Sequence, residues 1–159
     1  MKEIITYSEV ETKEVARQIA ENLGTSGIIV LNGELGAGKT KFTEGFLSYF
    51  GLENEISSPT FTIVNEYKNE KVNIYHFDVY RLSDSSEFFA IGGEEYLNNG
   101  ICIIEWGNII EDILPNEYLK ISFEKDEYDI NIRKLNIETF GNKFTNIMEG
   151  MKKYENISN

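Results

Sequence analysis

A single cysteine among 159 residues, Cys102, excludes an internal disulfide and a cysteine metal cluster, and suits a reducing compartment. It lies inside the apolar run Ile101-Cys102-Ile103-Ile104, where a small buried hydrophobe is expected. One histidine, His76, excludes a metal centre built on several imidazoles, and a structural role is its default reading. Arginine is almost as scarce (Arg17, Arg81, Arg133), no stretch is a basic run, and the net charge is −12. Autonomous binding to a phosphate backbone depends on clustered Lys and Arg, so direct nucleic-acid binding is disfavoured, as is an anionic membrane surface. The acidity serves solubility or meets a basic partner.

No apolar stretch approaches the ~18 residues of a membrane span, and Met1-Lys2-Glu3-Ile4 does not open a signal-peptide pattern. A cytoplasmic chain without membrane association is the expectation. Two prolines, no repeats and no low-complexity tract leave nothing to divide the chain, so residues 1–159 are expected to form one domain, with 155–159 frayed.

Against these absences stands one motif. Residues 33–40 read Gly-Glu-Leu-Gly-Ala-Gly-Lys-Thr, a complete G-x-x-x-x-G-K-[ST] phosphate-binding loop. The glycines let successive backbone N–H groups turn inward on the phosphates, Lys39 reaches the β- and γ-phosphates, and the Thr40 hydroxyl ligates Mg²⁺. The context agrees: an apolar run from Gly27 to Leu31 predicts a buried strand entering the loop. Behind it Phe42, Phe46, Leu47 and Phe50 recur at helical spacing up to a cap at Gly51. Strand, loop and helix aim a helix N-terminus at an anion. ATP and ADP are the expected ligands, since the guanine-reading [NT]-K-x-D pattern does not occur.

Around this core, residues 2–6 predict a strand, and Ser8 with Glu11 has the capping-box spacing before a helix carrying Val15, Ile19 and Leu23. Residues 51–59 predict a loop. Thr60–Lys68 and Val72–Leu82 predict a hairpin turning at Asn69-Glu70. Residues 84–98 predict short helices broken at Gly92-Gly93, and 101–104 a buried strand. An antiparallel pair is expected over 118–124 and 128–138, then a helix over 142–154. The fold class is α/β: a mixed sheet of the P-loop NTPase kind, with a parallel core, added antiparallel strands and flanking helices.

The metal on such a loop needs an acidic partner at the end of a neighbouring strand. Glu105 and Asp78 both have that placement. Glu105 has the stronger case because it directly ends an uninterrupted apolar strand; Asp78 would then orient the attacking water or a water on the metal. Arg81 either offsets charge on the transferring phosphoryl group or pairs with a nearby carboxylate. Trp106 follows Glu105, with core packing as its ordinary role and partner contact or nucleotide sensing as the sharper one.

Four blocks in order, Gly33–Thr40, Ser58-Pro-Thr-Phe-Thr-Ile-Val-Asn-Glu-Tyr67, His76-Phe-Asp-Val-Tyr-Arg-Leu82 and Glu105-Trp106, closely resemble the bacterial TsaE family. The resemblance runs from about Thr12 to Arg133, and includes Gly-x-x-Glu-Tyr-Leu within 87–97. It implies a small ATPase of tRNA threonylcarbamoyladenosine formation. It also implies that Lys39 and the loop Glu34, Leu35, Gly36, Ala37, Gly38 and Thr40 hold the phosphates, while Thr40 and Glu105 ligate Mg²⁺. Asp78 serves hydrolysis beside Lys39, Trp106 belongs to the site block, and Thr12 and Arg133 contact the nucleotide outside the loop. Ser58-Pro59-Thr60 acts as a switch sensing the γ-phosphate. Family members often carry proline after the Glu-Trp pair, whereas Gly107-Asn108 follows here. The implied partner is a TsaD–TsaB complex, which transfers the threonylcarbamoyl group to adenosine 37 of tRNA and would supply the tRNA contact; the ATP cycle permits repeated turnovers.

Two other functions use such a loop. A small metabolite kinase needs an arginine-bearing lid to clamp its acceptor and exclude water, which three arginines serve poorly. An ATP-dependent binding switch with negligible hydrolysis needs only different partner affinities in its two states.

Overall fold

The computed structural model describes residues 2–34, 36–56 and 63–151. Among them seven strands form one sheet: β1 (Lys2–Thr6), β2 (Gly27–Gly33), β3 (Val64–Lys68), β4 (Asn73–Asp78), β5 (Ile101–Glu105), β6 (Tyr118–Lys125) and β7 (Arg133–Phe140). Their order is β1-β7-β6-β2-β5-β4-β3. The centre is parallel, β6 and β5 flanking β2 with β4 beyond β5, while β7 against β6, β1 against β7 and β3 against β4 run antiparallel.

Alternation along β2 divides the core. Ile29 and Leu31 face α1 (Glu9–Leu23), α2 (Lys39–Tyr49) and α5 (Asn142–Glu149), meeting Val15, Ile19, Phe42, Phe46 and Phe144. Ile28 and Val30 face the other way, in a cluster with Phe77, Phe88, Cys102, Ile104 and Ile110. That side is covered by α3 (Ser85–Ala90), α4 (Gly93–Leu97) and a 3₁₀ helix at Gly107–Ile113. With both faces covered, β2 and β5 read as continuous apolar runs rather than alternating ones. No helix among the described residues is long and apolar enough to cross a membrane.

Local signals act where expected. Ser8 Oγ accepts the Glu11 N–H at 3.2 Å, and Glu11 Oε2 accepts the Tyr7 N–H at 2.6 Å, closing the start of α1. Asn69 turns the β3–β4 hairpin by accepting the N–H groups of Lys71 and Val72. Several boundaries differ from the sequence reading, and aspartate side chains account for two of them. β4 stops at Asp78 rather than Leu82, where Asp78 Oδ1 accepts the Tyr80 N–H at 3.0 Å. β7 begins at Arg133 rather than 128, because Asp126 accepts the N–H groups of Tyr128 and Asp129, and Asp129 that of Asn131. Such side-chain bonds compete with the strand ladder. The 51–59 segment contains a 3₁₀ turn at Glu53–Glu55, and α5 ends at Glu149. The expected switch Ser58-Pro59-Thr60, the start of the expected strand from Thr60, and the tail 155–159 expected to fray lie outside the described residues, as does Leu35.

Candidate active site

The site gathers at the carboxyl ends of three neighbouring parallel strands. β2 delivers the glycine-rich loop, β5 delivers Glu105 and β4 delivers His76 and Asp78. In register, Glu105 stands beside Leu31 on one side and Asp78 on the other. His76 and Asp78 are two residues apart and so share the face that carries α1 and α2.

Gly33 ends β2 in a backbone conformation with φ +152°; a Cβ there would meet the Phe123 carbonyl oxygen of β6 at 2.9 Å, so the turn requires glycine. Gly36 and Gly38 also have positive φ, and Gly38 opens α2, whose first residues are Lys39 and Thr40. The loop thus ends on a helix N-terminus, the positive end of the helix dipole. Lys39 is 5 % exposed and donates from Nζ to the Gly33 carbonyl at 2.6 Å. Its ammonium lies 3.9 Å from Glu105 Oε1 and 4.0 Å from the centre of the Trp106 ring. Burial lowers the Lys39 pKa; Glu105, then Asp78, oppose that shift by favouring the charged form.

Glu105 is itself buried, and its second oxygen, Oε2, is 2.7 Å from His76 Nε2. A buried carboxylate requires such compensation. Trp106 follows in a left-handed conformation (φ +66°), its N–H bonded to the Leu31 carbonyl and its ring 5.2 Å from that of Tyr80. Asp78 is half-buried; its N–H donates to the Ile63 carbonyl.

Of the outlying expected residues, Arg133 reaches the loop directly: Nη2 donates to the Gly36 carbonyl at 3.3 Å, while Nη1 donates to the carbonyls of Ile130 and Ile132. Thr12 is buried, its hydroxyl 2.7 Å from that of Thr6 and 3.3 Å from the Ser8 carbonyl. Thr6 pairs across the ladder with Arg133, so Thr12 joins the loop's flank through β1 and β7. Glu34 and Thr40 are exposed, and Ala37 is buried with its N–H on the Glu34 carbonyl.

Three features escaped sequence reasoning. The His76–Glu105 bond spans 29 residues; its one local signal is the spacing of His76 and Asp78 on a single strand face. Asn32 Nδ2 donates to Asn108 Oδ1 at 2.8 Å, tying the end of β2 to the 3₁₀ helix after Trp106. Lys125 Nζ lies 3.5 Å from where a Cβ on Gly36 would sit, a second cation beside the loop.

The donor set suits an anion above the loop and a hard cation beside it. Lys39, Arg133 and Lys125 supply positive charge around a helix N-terminus. Among the described residues no group of three or more His, Cys, Asp or Glu is placed to hold a metal alone. Thr40 and Glu105 are the kind of sparse oxygen set that Mg²⁺ completes with water and phosphate oxygens.

The family described as Threonylcarbamoyl adenosine biosynthesis protein TsaE matches residues 6–135. The chain belongs to the TsaE family. It is 38% identical over 155 residues to the tRNA threonylcarbamoyladenosine biosynthesis protein TsaE of Bacillus subtilis (strain 168), covering 97% of this chain and 96% of that one. A Rickettsia conorii TsaE of the same description is 42% identical over 118 residues, 74% of this chain and 67% of its own. The crystal structure of Bacillus subtilis YdiB superposes with a TM-score of 0.74 at 32% identity, covering 97% of this chain and 95% of that one. The fold expected from the order of elements in the sequence, a mixed sheet with a parallel core between helices, is the fold of this TsaE-family chain.

Proposed function

We propose that this TsaE-family chain is a Mg²⁺-dependent ATPase serving tRNA threonylcarbamoyladenosine biosynthesis, acting on a TsaD–TsaB-type complex to allow repeated turnovers. One observation carries the reading: the buried ammonium of Lys39 lies 3.9 Å from Glu105 at the mouth of the glycine-rich loop, with Asp78 beside Glu105 on the next strand.

On this reading the amides of the loop and of the first turn of α2 cradle the phosphates. Lys39 exchanges its bond to the Gly33 carbonyl for the β- and γ-phosphates, a low-cost move because the acceptor it leaves is backbone at the edge of the same loop. Thr40 and Glu105 hold Mg²⁺, which when bound neutralises charge on the phosphate oxygens. Asp78 accepts a hydrogen bond from the attacking water and orients it in line. Arg133 stays on the Gly36 carbonyl and braces the loop from its outer side. The acidic chain, with 27 Asp and Glu against 15 Lys and Arg, leaves tRNA contact to the partner complex.

The test is ATP hydrolysis by the purified chain with Mg²⁺, alone and with a cognate TsaD–TsaB complex. Slow turnover alone and strong stimulation by the complex are expected. Tight nucleotide binding without stimulation would replace the ATPase with a binding switch, and absence of nucleotide binding would remove the reading of residues 33–40.

A further inference from the structure

We propose that His76 is a positioning residue for Glu105: its Nε2–H holds one carboxylate oxygen, so that the other is presented to Lys39 and the metal. The proposal rests on the reading of Glu105 as a metal ligand.

Hydrogen-bond accounting places a proton on Nε2. An ionised carboxylate only accepts, so at 2.7 Å from Glu105 Oε2 the His76 Nε2 must carry the proton. His76 Nδ1 is buried and has no hydrogen-bond partner among the described residues. The Nε2 proton is thus spent on Glu105, the one short contact of the imidazole among the described residues.

The remaining contacts of Glu105 show why this matters. Lys39 Nζ at 3.9 Å is a charge contact, too long for a hydrogen bond, and its short bond goes to Gly33 instead. The bond from His76 is the one short side-chain contact on the carboxylate among the described residues. It is also set by the sheet: His76 pairs with Ile103 and Asp78 with Glu105, so the bond runs diagonally between two adjacent, fully hydrogen-bonded strands. Removing it frees the carboxylate about its side-chain torsions. Outer partners of metal ligands act in this way, orienting the ligand without touching the metal.

The experiment uses the full chain and its sole histidine. In ¹⁵N-histidine-labelled protein without nucleotide, a single imidazole protonated at Nε2 is expected. An Nδ1–H tautomer, or a mixture of the two, overturns the proposal. In parallel, the Mg²⁺ dependence of ADP binding is measured by calorimetry for wild type, His76→Leu and His76→Gln. His76→Leu should weaken Mg²⁺ by about tenfold with ADP affinity in EDTA unchanged. His76→Gln, which keeps an N–H donor near the Nε2 position, should recover most of the loss. Wild-type Mg²⁺ affinity in a folded His76→Leu protein, or no recovery in His76→Gln, overturns the proposal. If His76→Leu does not fold, the tautomer and the glutamine variant decide. A wild-type chain that binds no ADP defeats the nucleotide reading and takes the metal-positioning role with it. That failure is recognisable because the tautomer is read without nucleotide.

Discussion

The Lys39 ammonium sits 4.0 Å above the centre of the Trp106 indole. A cation over an aromatic face is held by the ring's quadrupole, and here both partners belong to the site. Trp106 is also the only tryptophan in the chain, so its emission reports this contact without interference. Withdrawal of Lys39 toward a phosphate changes the field on the indole. Titration with ADP and Mg²⁺ should therefore give a saturable change in Trp106 fluorescence. Lys39→Met should alter the starting emission and abolish the response. A wild-type response in Lys39→Met would mean that Lys39 does not move to the ligand.

Asp78 and Glu105 are neighbouring carboxylates with different surroundings, and the difference predicts different variants. Glu105 is buried between His76 and Lys39, whereas Asp78 is half-buried with one oxygen bonded to the Tyr80 N–H. Asp78→Asn keeps that turn bond and removes the charge proposed to orient water. ADP affinity should stay close to wild type while hydrolysis falls by about 10²-fold. Glu105→Ala should instead abolish metal-dependent turnover while ADP still binds. Steady-state hydrolysis alongside calorimetry separates the two, and a collapse of ADP affinity in Asp78→Asn would make that residue a ligand.

What the sequence made legible was local. The glycine loop is a run of eight residues whose spacing is its geometry, and an apolar strand ends on Glu105. The strand order was not legible. β6 lies beside β2 in parallel, setting the Phe123 carbonyl against Gly33 across 90 residues, and no pattern in either segment declares that pairing. A structural role is all that the sequence suggests for His76, because its partner is one strand and 29 positions away. The misplaced ends of β4 and β7 have a different cause: β-rich composition continues past Asp78 and begins before Arg133. Aspartate side chains capture the backbone donors there, a competition that residue propensities average away.

The helix pair that carries the loop depends on one close approach. In α2, Gly45 faces the backbone of α1, and a Cβ built on it would lie 2.3 Å from the Lys13 carbonyl oxygen and 2.5 Å from its Cα. Backbone cannot step aside as a side-chain tip can. Gly45→Ala, although it raises helix propensity, should destabilise the protein by about 1–3 kcal/mol, as overpacking does. Each kcal/mol should lower Tm by roughly 2–4 °C. Because α2 begins at Lys39, ADP affinity should weaken as well. Thermal unfolding with and without ADP checks both effects, and an unchanged Tm would mean that the two helices separate freely.

Cys102 gives the fold a dependence on alkaline pH whose sign can be worked out. The thiol is fully buried in β5, donates to the Tyr96 carbonyl at 3.2 Å, and burial pushes its pKa up from 9.0 to about 12. The folded chain therefore keeps its proton in a range where the unfolded chain has lost it. This contribution is fully present below pH 9 and is lost as pH rises toward 12. Its slope is at most about 1.4 kcal/mol per pH unit. Cys102→Ala removes the titration together with some packing, so its stability should fall less steeply across that range than the wild type's. Alkylation supplies the kinetic counterpart: native Cys102 should resist iodoacetamide until the sheet opens, with labelling tracking the unfolded population in urea. Rapid labelling of the folded chain would place the thiol in solvent and remove the cause of its raised pKa.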